Sequence, residues 1–524
     1  MGIYLNPGND NFKETLNTDI YVDKTEMLDV LNKMLNTSDK YICMSRPRRF
    51  GKTITGNMIA AYYSKGCNSN DLFDELSIAN KADYKKYLNQ YNVIQIDVNS
   101  EYQNTIDKSR LITKLTGQIM NELQSEFRNV DFEESDSLAN CIQKVYVKTG
   151  QTFIIILDEY DALVRERVSQ TLFDEFLGLL NGLFKSNTLR PAISLAYLTG
   201  ILPVVRDKVQ SKLNNFEEYT ILDAGRFAKY VGFTDDEVET LCNQYGMDYE
   251  ECKRWYDGYC QNGYEIYNPE SVIKSITRKK YAYYWSKTST YEVIAERIRQ
   301  NFRGTREDVI RMLAGESIDV NVTGYMNTVD SFATRSDVFT YLIHTGYLAY
   351  DNEEGTCRIP NREVRQEWFN AIEVNSDYAI TNKLIEDSKE LLRLTLAGDE
   401  DAVSKALDAS HIHVASNRSY NNEDVLQSAI YLAYIYALNK YTVIKEMTTG
   451  KGFADVVYIP CFEDFPAMVI ELKRNKSVDS AINQIKEKKY FDSLSKYKGN
   501  MLFVGINYDE VDKSHCCRIE RFDI

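Results

Sequence analysis

The chain has 524 residues, of which 62 are Lys or Arg and 77 are Asp or Glu, and its formal charge at pH 7 is −15. This length exceeds what a single hydrophobic core usually holds, so two or three domains are expected. Hydrophobic residues make up 44% and charged residues 27%, which excludes a mainly disordered or fibrous chain. The acidic total argues against a protein held to nucleic acid or membrane by bulk charge, although it leaves room for a local basic groove.

Targeting signals and Cys/His zinc-binding patterns are missing from the sequence. The first residues lack the basic flank and apolar core of a secretory signal, and no apolar run approaches the ~18 residues that span a bilayer. The 10 cysteines are scattered without a CxxC pattern, and there are 4 histidines, so free thiols are expected rather than a zinc site. We therefore expect a cytoplasmic protein with no membrane partner.

The first half of the chain alternates short apolar runs with helix-length segments. Nearly continuous apolar runs predict parallel strands that are covered on both faces. These runs are residues 41–45, 93–98, 153–158 and 192–199. Segments such as 110–127 and 170–185 have helical length and lie between them. The alternation predicts an α/β fold with a parallel sheet and helices on both faces.

The middle of the chain, residues 281–409, is predicted to be mostly helical. Residues 291–304 and 380–397 have amphipathic patterns. A helix over 337–344, followed by short runs at 347–350 and 357–359, favours a small winged-helix-like module.

The last segment reads as a compact α/β unit. A helix is predicted over residues 423–439. Strands are predicted at 453–459, 468–473 and 501–506, with a helix over 479–495 between the last two.

A basic, glycine-containing loop follows the first predicted strand. The sequence SRPRRFGKT (residues 45–53) joins that strand to a helix, which places backbone N–H groups and a helix N-terminus where phosphates bind. The predicted nucleotide contacts are Arg48, Arg49, Phe50, Gly51, Lys52 and Thr53. Lys52 would reach the β- and γ-phosphates, and Thr53 would bind Mg²⁺. Arg46 replaces the first glycine of GxxxxGK[ST], and Arg46, Arg48 and Arg49 are expected to add positive charge at the mouth. The alternative is a basic turn that contains GKT by chance.

Two carboxylates end the third predicted strand. Asp158 is placed to hold Mg²⁺ through water, and Glu159 to polarise the attacking water. The alternative is a helix N-terminus with acidic caps. At the tip of the next strand, Thr199 is a candidate sensor of the γ-phosphate, and Arg206 is a weaker candidate for a charge-stabilising arginine.

A second group of polar residues lies near the C-terminus. Strand periodicity puts Glu471 and Lys473 on one face, and a hairpin can bring Asp455 beside them. The two carboxylates would bind a divalent metal for phosphodiester hydrolysis, with Lys473 stabilising charge. Glu423 could add another acid, and Gln484 could fix the geometry. The alternative is a solvated edge strand with a salt-bridged Glu/Lys pair.

Basic residues cluster beside this group. Six lie between residues 473 and 489, namely Lys473, Arg474, Lys476, Lys486, Lys488 and Lys489. A basic stripe beside an acidic metal site suits a nucleic-acid backbone, whereas a solvated helix face is the alternative.

Taken together, these motifs resemble a bacterial family that joins an AAA-ATPase-like N-terminal domain to a C-terminal PD-(D/E)XK nuclease-like domain. The resemblance covers nearly the whole chain and accounts for the arginine at position 46. Its further markers are YVDKT (21–25), LDEYD (157–161), LTG (198–200), LNN (213–215), GFT (232–234), WYDGY (255–259), YNP (267–269) and PNREV (360–364).

The resemblance implies a P-loop NTPase-type sheet, a helical connector and a restriction-endonuclease-like domain, with boundaries at 1–280, 281–409 and 410–524. It gives Lys52 and Thr53 the nucleotide and Mg²⁺ roles, and Asp158 and Glu159 the hydrolytic roles. It gives the nuclease roles to Asp455, Glu471, Lys473 and Gln484.

The expected function is therefore that of an ATPase, with ATP and Mg²⁺ as cofactors, coupled to a metal-dependent nuclease acting on nucleic acid, with DNA expected. A homo-oligomer is compatible with it, because some ATPases take an arginine from a neighbour. One alternative is a nucleotide-dependent switch or interaction protein whose nuclease-like domain binds without cleaving. Another is a structural scaffold in which both sites are vestigial.

Overall fold

The computed structural model describes residues 2–203, 213–285, 291–299, 302–323, 325, 332–374, 378–414, 423–449, 452–462, 464–488, 494, 497 and 499–522. Contacts divide the chain into two compact units. Unit 1 comprises Met1–Trp285 and Asp319–Asn361, and unit 2 comprises Ser286–Ile318 and Arg362–Ile524. The domain boundaries after residues 280 and 409 stay predictions. Across the described ranges, every helix is too short or too polar to cross a bilayer.

Unit 1 is built on a five-stranded parallel sheet. Its strands are β1 (Tyr41–Ser45), β2 (Asn92–Asp97), β3 (Phe153–Asp158), β4 (Ile193–Gly200) and β5 (Glu217–Tyr219). They lie in the order β2–β3–β4–β1–β5, and β1, β3 and β4 are buried along their whole length. This confirms the predicted P-loop-type sheet. The sequence did not predict β5, because it has three residues and two are glutamates.

Helices of unit 1 cover both faces of this sheet, as strands that are apolar on both sides require. The helices between residues 10 and 184 are α1 (Asp10–Leu16), α2 (Met27–Met34), α3 (Lys52–Tyr63), α4 (Asn70–Phe73), α5 (Tyr84–Tyr87), α6 (Val98–Asn104), α7 (Leu111–Glu126), α8 (Leu138–Thr149), α9 (Ala162–Arg165) and α10 (Gln170–Phe184). The predicted helices 110–127 and 170–185 correspond to α7 and α10. The apolar residues of α7, α8 and α10 pack with β3 in one large core.

A small antiparallel sheet and three helices follow in unit 1. They are β6 (Phe233–Thr234), α11 (Asp235–Tyr245), α12 (Tyr249–Tyr256), β7 (Tyr259–Gln261), β8 (Tyr264–Tyr267) and α13 (Pro269–Arg278), with strand order β6–β8–β7. Helix α11 starts with a capping box in which Thr234 and Glu237 bind each other's backbone N–H groups.

The middle of the chain is mainly helical and contains the predicted helix-then-hairpin order. Its elements are α14 (Tyr291–Ile298), α15 (Thr305–Leu313), β9 (Ile318–Asp319), α16 (Arg335–His344), β10 (Ala349–Asp351) and β11 (Thr356–Arg358). Strands β10 and β11 are antiparallel, and Gly355 at φ +68° closes their turn. The predicted helix 291–304 was too long, since α14 ends at Ile298.

Unit 2 is built on a mixed five-stranded sheet in chain order. Its remaining elements are α17 (Arg362–Glu373), α18 (Ala379–Ala397), α19 (Glu400–Val414), α20 (Glu423–Ala433), β12 (Tyr441–Thr449), β13 (Gly452–Pro460), β14 (Ala467–Arg474), α21 (Val478–Glu487), β15 (Met501–Asp509) and β16 (Ser514–Phe522). Strands β14 and β15 are parallel and are joined through α21, whereas the other neighbours are antiparallel. The sequence did not predict β12, β16 or α19, whose apolar residues are interrupted by charges.

Candidate active sites

The first site, called the phosphate site here, consists of Lys52, Asp158, Glu159 and Thr199 at the carboxyl edge of the parallel sheet. Lys52 begins α3, is 7% exposed, and donates through Nζ to the carbonyl oxygens of Arg46 (2.9 Å) and Pro47 (2.8 Å). Burial lowers the pKa of Lys52 to about 8, while the negative charges of Asp161, Asp158 and Glu159 oppose this shift. These effects indicate that the ammonium and the three carboxylates lie near one another.

The loop before Lys52 has an unusual backbone. Arg49 and Gly51 adopt positive φ angles of 70° and 92°, and this conformation is open to glycine at no steric cost. Arg48 is exposed, whereas Arg49 forms an ion pair with Glu270 of α13. Phe50 is buried. Thr53 is exposed in the first turn of α3, where a Mg²⁺ ligand would be needed.

The prediction that Arg46 adds charge at the mouth of the loop is wrong. Its side chain is fully buried, and Nη1 donates to the carbonyl oxygens of Ser45 (2.8 Å) and Tyr219 (2.9 Å). Because Tyr219 lies on β5, this arginine ties β1 to its outer neighbour. Arg46 therefore has a structural role at the position where a phosphate loop usually has glycine.

Asp158 and Thr199 are brought together at the ends of neighbouring parallel strands. The Thr199 hydroxyl donates to Oδ1 of Asp158, and the backbone N–H of Glu159 donates to the same oxygen at 2.9 Å. Asp158 is 4% exposed and Thr199 is fully buried. Thr199 thus fixes the carboxylate that is the candidate Mg²⁺ ligand.

Two residues that the sequence analysis did not single out complete the phosphate site. Asp161 is fully buried, and its Oδ2 accepts the N–H groups of Ile201 (3.1 Å) and Leu202 (2.9 Å) just after β4. Arg165 forms ion pairs with Glu159 and with Oδ2 of Asp161, the latter at 3.2 Å. The i,i+4 spacing of Asp161 and Arg165 was a usable signal. Arg206 lies outside the described residues.

A cavity of about 380 Å³ opens beside Gly51 of the loop. Its lining is mostly apolar and comes from three separate parts of unit 1. The first part is the N-terminal segment with Phe12 and residues 20–22. The second is the phosphate loop and α3, with Phe50, Ile54 and Met58. The third comes later in the chain and includes Tyr230, Phe233, Pro269 and Ile273. No single sequence motif indicates this cavity, because its walls lie far apart in the chain.

The second site, called the carboxylate site here, consists of Asp455, Glu471, Lys473 and Gln484. Asp455 on β13 accepts the backbone N–H of Leu472 on β14 through Oδ2, at 2.7 Å. Glu471 is 1% exposed, and its Oε1 accepts hydrogen bonds from Lys473 Nζ (2.8 Å) and from Gln484 Nε2 on α21. The predicted hairpin and helix therefore bring all four residues together.

The electrostatics of the carboxylate site are dominated by the burial of Glu471. Burial raises the pKa of Glu471 to about 7, and the negative charge of Asp455 adds to this effect. The positive charges of Lys473 and Lys488 act in the opposite direction. Oε2 of Glu471 is buried and has no hydrogen-bond partner among the described atoms. A divalent cation would satisfy that oxygen, so the residues fit a metal ion.

Few carboxylates lie at this site among the residues that the structure describes. Within the described ranges, no group of three or more His, Cys, Asp or Glu side chains could hold a metal. Mg²⁺ commonly uses one or two carboxylates and fills its other positions with water, so Asp455 and Glu471 are sufficient in number. The side chain of Glu423 lies outside the described residues.

The basic residues that the sequence placed in one stripe beside this site have different partners in the structure. Lys473 and Lys488 act on Glu471, whereas Arg474 pairs with Glu510 at 2.8 Å and Lys486 pairs with Glu520 at 2.5 Å. Lys476 is exposed, and Lys489 lies outside the described residues. Cations that are already paired with carboxylates are less available to a nucleic-acid backbone.

Comparisons with known protein families agree with this arrangement of two sites. Residues 7–210 match the model of an AAA-ATPase-like domain, described as a predicted AAA-ATPase. Residues 421–517 match the model of the PD-(D/E)XK nuclease superfamily. The first match includes the phosphate site, and the second includes the carboxylate site.

A relative and several solved structures are similar to parts or most of the chain. An uncharacterized protein in the vnfD 5' region of Azotobacter chroococcum mcd 1 is 21% identical over 521 residues, covering 94% of each chain. The Aeropyrum pernix ORC2 protein (ADPNP-ADP complexes) is 12% identical, with a TM-score of 0.30, over 68% of this chain and 96% of its own. The Aeropyrum pernix ORC1 protein in complex with DNA is 10% identical, with a TM-score of 0.28, over 71% of this chain and 97% of its own.

Proposed function

Because this chain joins an AAA-ATPase-like domain to a domain of the PD-(D/E)XK nuclease superfamily, we propose that it hydrolyses ATP at the phosphate site and cleaves nucleic acid at the carboxylate site. DNA is the proposed substrate, and ATP turnover is proposed to control cleavage. The observation that carries the proposal is that each site gathers the groups its reaction needs around one buried charged residue, Lys52 in the first and Glu471 in the second.

The arrangement at the phosphate site supports ATP as the ligand. The cavity beside Gly51 has the volume and the apolar walls that a nucleoside base requires, and it opens next to the helix N-terminus that would receive the phosphates. On binding, Lys52 would exchange its bonds to the Arg46 and Pro47 carbonyls for phosphate oxygens.

Hydrolysis would use the residues at the ends of β3 and β4. Thr53 and Asp158 would hold Mg²⁺, which supplies charge neutralisation at the β- and γ-phosphates when bound. Glu159 would orient the attacking water. Thr199, which is hydrogen-bonded to Asp158, would keep that carboxylate in place.

Phosphodiester cleavage would use the carboxylate site. Asp455 and Glu471 would hold a divalent cation, which supplies an activated water when bound. Lys473 would stabilise negative charge that develops on the attacked phosphate. Gln484 would keep Glu471 oriented through its hydrogen bond to Oε1.

The ATPase half is tested by Lys52→Ala in the purified chain. We expect ATP hydrolysis to fall at least ~100-fold, because the ammonium of Lys52 is proposed to contact the β- and γ-phosphates directly. Lys33→Ala is the matched control, since Lys33 is a lysine of unit 1 with a side chain 72% exposed. Equal hydrolysis by wild type and Lys52→Ala would refute this half.

The nuclease half is tested on linear, circular and branched DNA and on RNA, with Mg²⁺ or Mn²⁺ and with or without ATP. We expect Asp455→Asn and Lys473→Ala to lower cleavage at least ~100-fold, whereas Asp479→Asn, an exposed residue of α21, leaves it unchanged. Metal binding without cleavage by the wild type would favour a nucleotide-dependent switch instead. Cleavage that does not change in Lys52→Ala would contradict control by ATP turnover.

A further inference from the structure

Arg165 is shared between two carboxylates of the phosphate site. It ends the short helix α9, its side chain is 13% exposed, and Nη2 donates to Oε2 of Glu159. Nε of Arg165 lies 3.2 Å from Oδ2 of Asp161. A guanidinium group is planar and has donors in fixed directions, so an arginine held by one carboxylate can orient a second one.

Asp161 is a rigid anchor for this arginine. It is fully buried, and its Oδ2 also accepts the backbone N–H groups of Ile201 and Leu202. Gly200 leaves room for it, since a Cβ atom at that position would lie 2.7 Å from Oδ1 of Asp161. Asp161 therefore cannot move without disturbing the end of β4, and its ion pair with Nε restrains the guanidinium of Arg165.

Glu159 needs such a restraint. Its backbone has a positive φ of 50° at the turn after β3, and its side chain is 30% exposed. A partly exposed glutamate side chain can sample several rotamers, and ordering it costs conformational entropy. The contact with Arg165 selects one of these rotamers.

We propose that Arg165 is a positioning residue for ATP hydrolysis and acts by fixing the carboxylate of Glu159 against the anchored Asp161. Arg165 and Glu159 both lie close enough to Lys52 to influence its charge, so the carboxylate is held at the phosphate site. This inference rests on the proposed ATPase function. It predicts that Arg165 affects turnover through Glu159 and leaves nucleotide binding unchanged.

The test compares Arg165→Gln, Glu159→Gln and the double variant in steady-state ATP hydrolysis. We expect Arg165→Gln to lower kcat at least ~10-fold with KM within about twofold, because small misplacements of a reacting group cost rate rather than affinity. In the Glu159→Gln background, Arg165→Gln should cause no further loss. Arg167→Gln, which removes the same charge from an exposed position two residues later, should keep wild-type turnover.

Arg165→Lys separates positioning from charge, because lysine keeps the charge without the planar fork. We expect its kcat to stay below that of the wild type with KM unchanged. If Arg165→Gln does not fold, the kcat of Arg165→Lys tests the proposal instead. An unchanged or raised kcat in a folded Arg165 variant overturns the proposal, and so do losses that add in the double variant. When the wild type hydrolyses ATP and Lys52→Ala does not, either of these contradicting results refutes the role of Arg165 and leaves the proposed ATPase function standing. A wild type without ATP turnover refutes the proposed function and this inference together.

Discussion

The phosphate site and the carboxylate site bury opposite charges, and burial acts on them in opposite directions. It lowers the pKa of Lys52 to about 8 and raises the pKa of Glu471 to about 7. In both cases the neutral form is favoured because the charged form loses hydration. A ligand of opposite charge restores the charged form, which means an anion at the phosphate site and a cation at the carboxylate site. These opposite shifts agree with the proposed triphosphate at the first site and the proposed metal ion at the second.

The two sites also differ in how the chain assembles them. The phosphate site takes its residues from the ends of three parallel strands, which crossover helices connect over long stretches of chain. The carboxylate site takes its residues from the adjacent strands β13 and β14 and from the helix that follows. A change in strand packing should therefore disturb the phosphate site more than the carboxylate site.

Gly200→Ala should produce the largest difference between the two sites, because it should disturb the phosphate site and leave the carboxylate site intact. Its Cβ would lie 2.7 Å from Oδ1 of Asp161 and 2.7 Å from the ring of Tyr160, and both neighbours are buried. Since neither can yield easily, we expect a loss of about 1–3 kcal/mol in the free energy of unfolding and at least a ~10-fold fall in ATP turnover. Thermal unfolding and ATP hydrolysis measure the two effects.

The matched control is Gly178→Ala in α10, where the added Cβ meets no atom within 4 Å. A helical alanine at that position should leave ATP turnover unchanged and stabilise the chain by a few tenths of a kcal/mol up to about 1 kcal/mol. Metal binding at the carboxylate site should be the same in both variants. An equal loss of metal binding in Gly200→Ala would contradict the view that the two sites are assembled separately.

Metal affinity at the carboxylate site should depend on pH through Glu471. The pKa of Glu471 is raised to about 7, so the carboxylate takes up a proton as the pH falls through this value and then competes with the metal. We expect the apparent affinity for Mn²⁺ to fall about tenfold between pH 8 and pH 6. Isothermal titration calorimetry at the two pH values measures it.

Two variants identify the group responsible for that pH dependence. Glu471→Gln should bind metal weakly at both pH values, without the tenfold change in affinity between them (the pH step). Glu510→Gln alters an exposed carboxylate of unit 2 and should retain the step. If the step persists in Glu471→Gln, another group is titrating.

The sequence predicts what depends on local patterns. The strands β1, β3 and β14 were predicted to within a residue, because their apolar runs are continuous, and Glu471 and Lys473 follow from strand periodicity alone. The prediction for Arg46 failed because nothing in a local pattern shows that a carbonyl oxygen of β5 would accept a hydrogen bond from its guanidinium. The walls of the cavity depend on tertiary packing, so no single motif indicated them, whereas the local spacing of Asp161 and Arg165 was a signal that the sequence did offer.

ATP affinity should change with pH in the opposite direction to metal affinity, and by less. The pKa of Lys52 is lowered to about 8, so without ligand it loses its proton and its charge as the pH rises through this value. Bound phosphates would favour the charged form, so ATP binding at high pH must be accompanied by uptake of a proton and becomes weaker. We therefore expect the Kd for ATP to rise about fivefold between pH 7.5 and pH 9, measured in the absence of Mg²⁺ so that no hydrolysis occurs.

Lys52→Arg should abolish the dependence because arginine stays charged, and Lys33→Gln should retain it. A Kd that does not change in the wild type would mean that a different cation meets the phosphates, and the opposite signs proposed for the two sites would no longer hold.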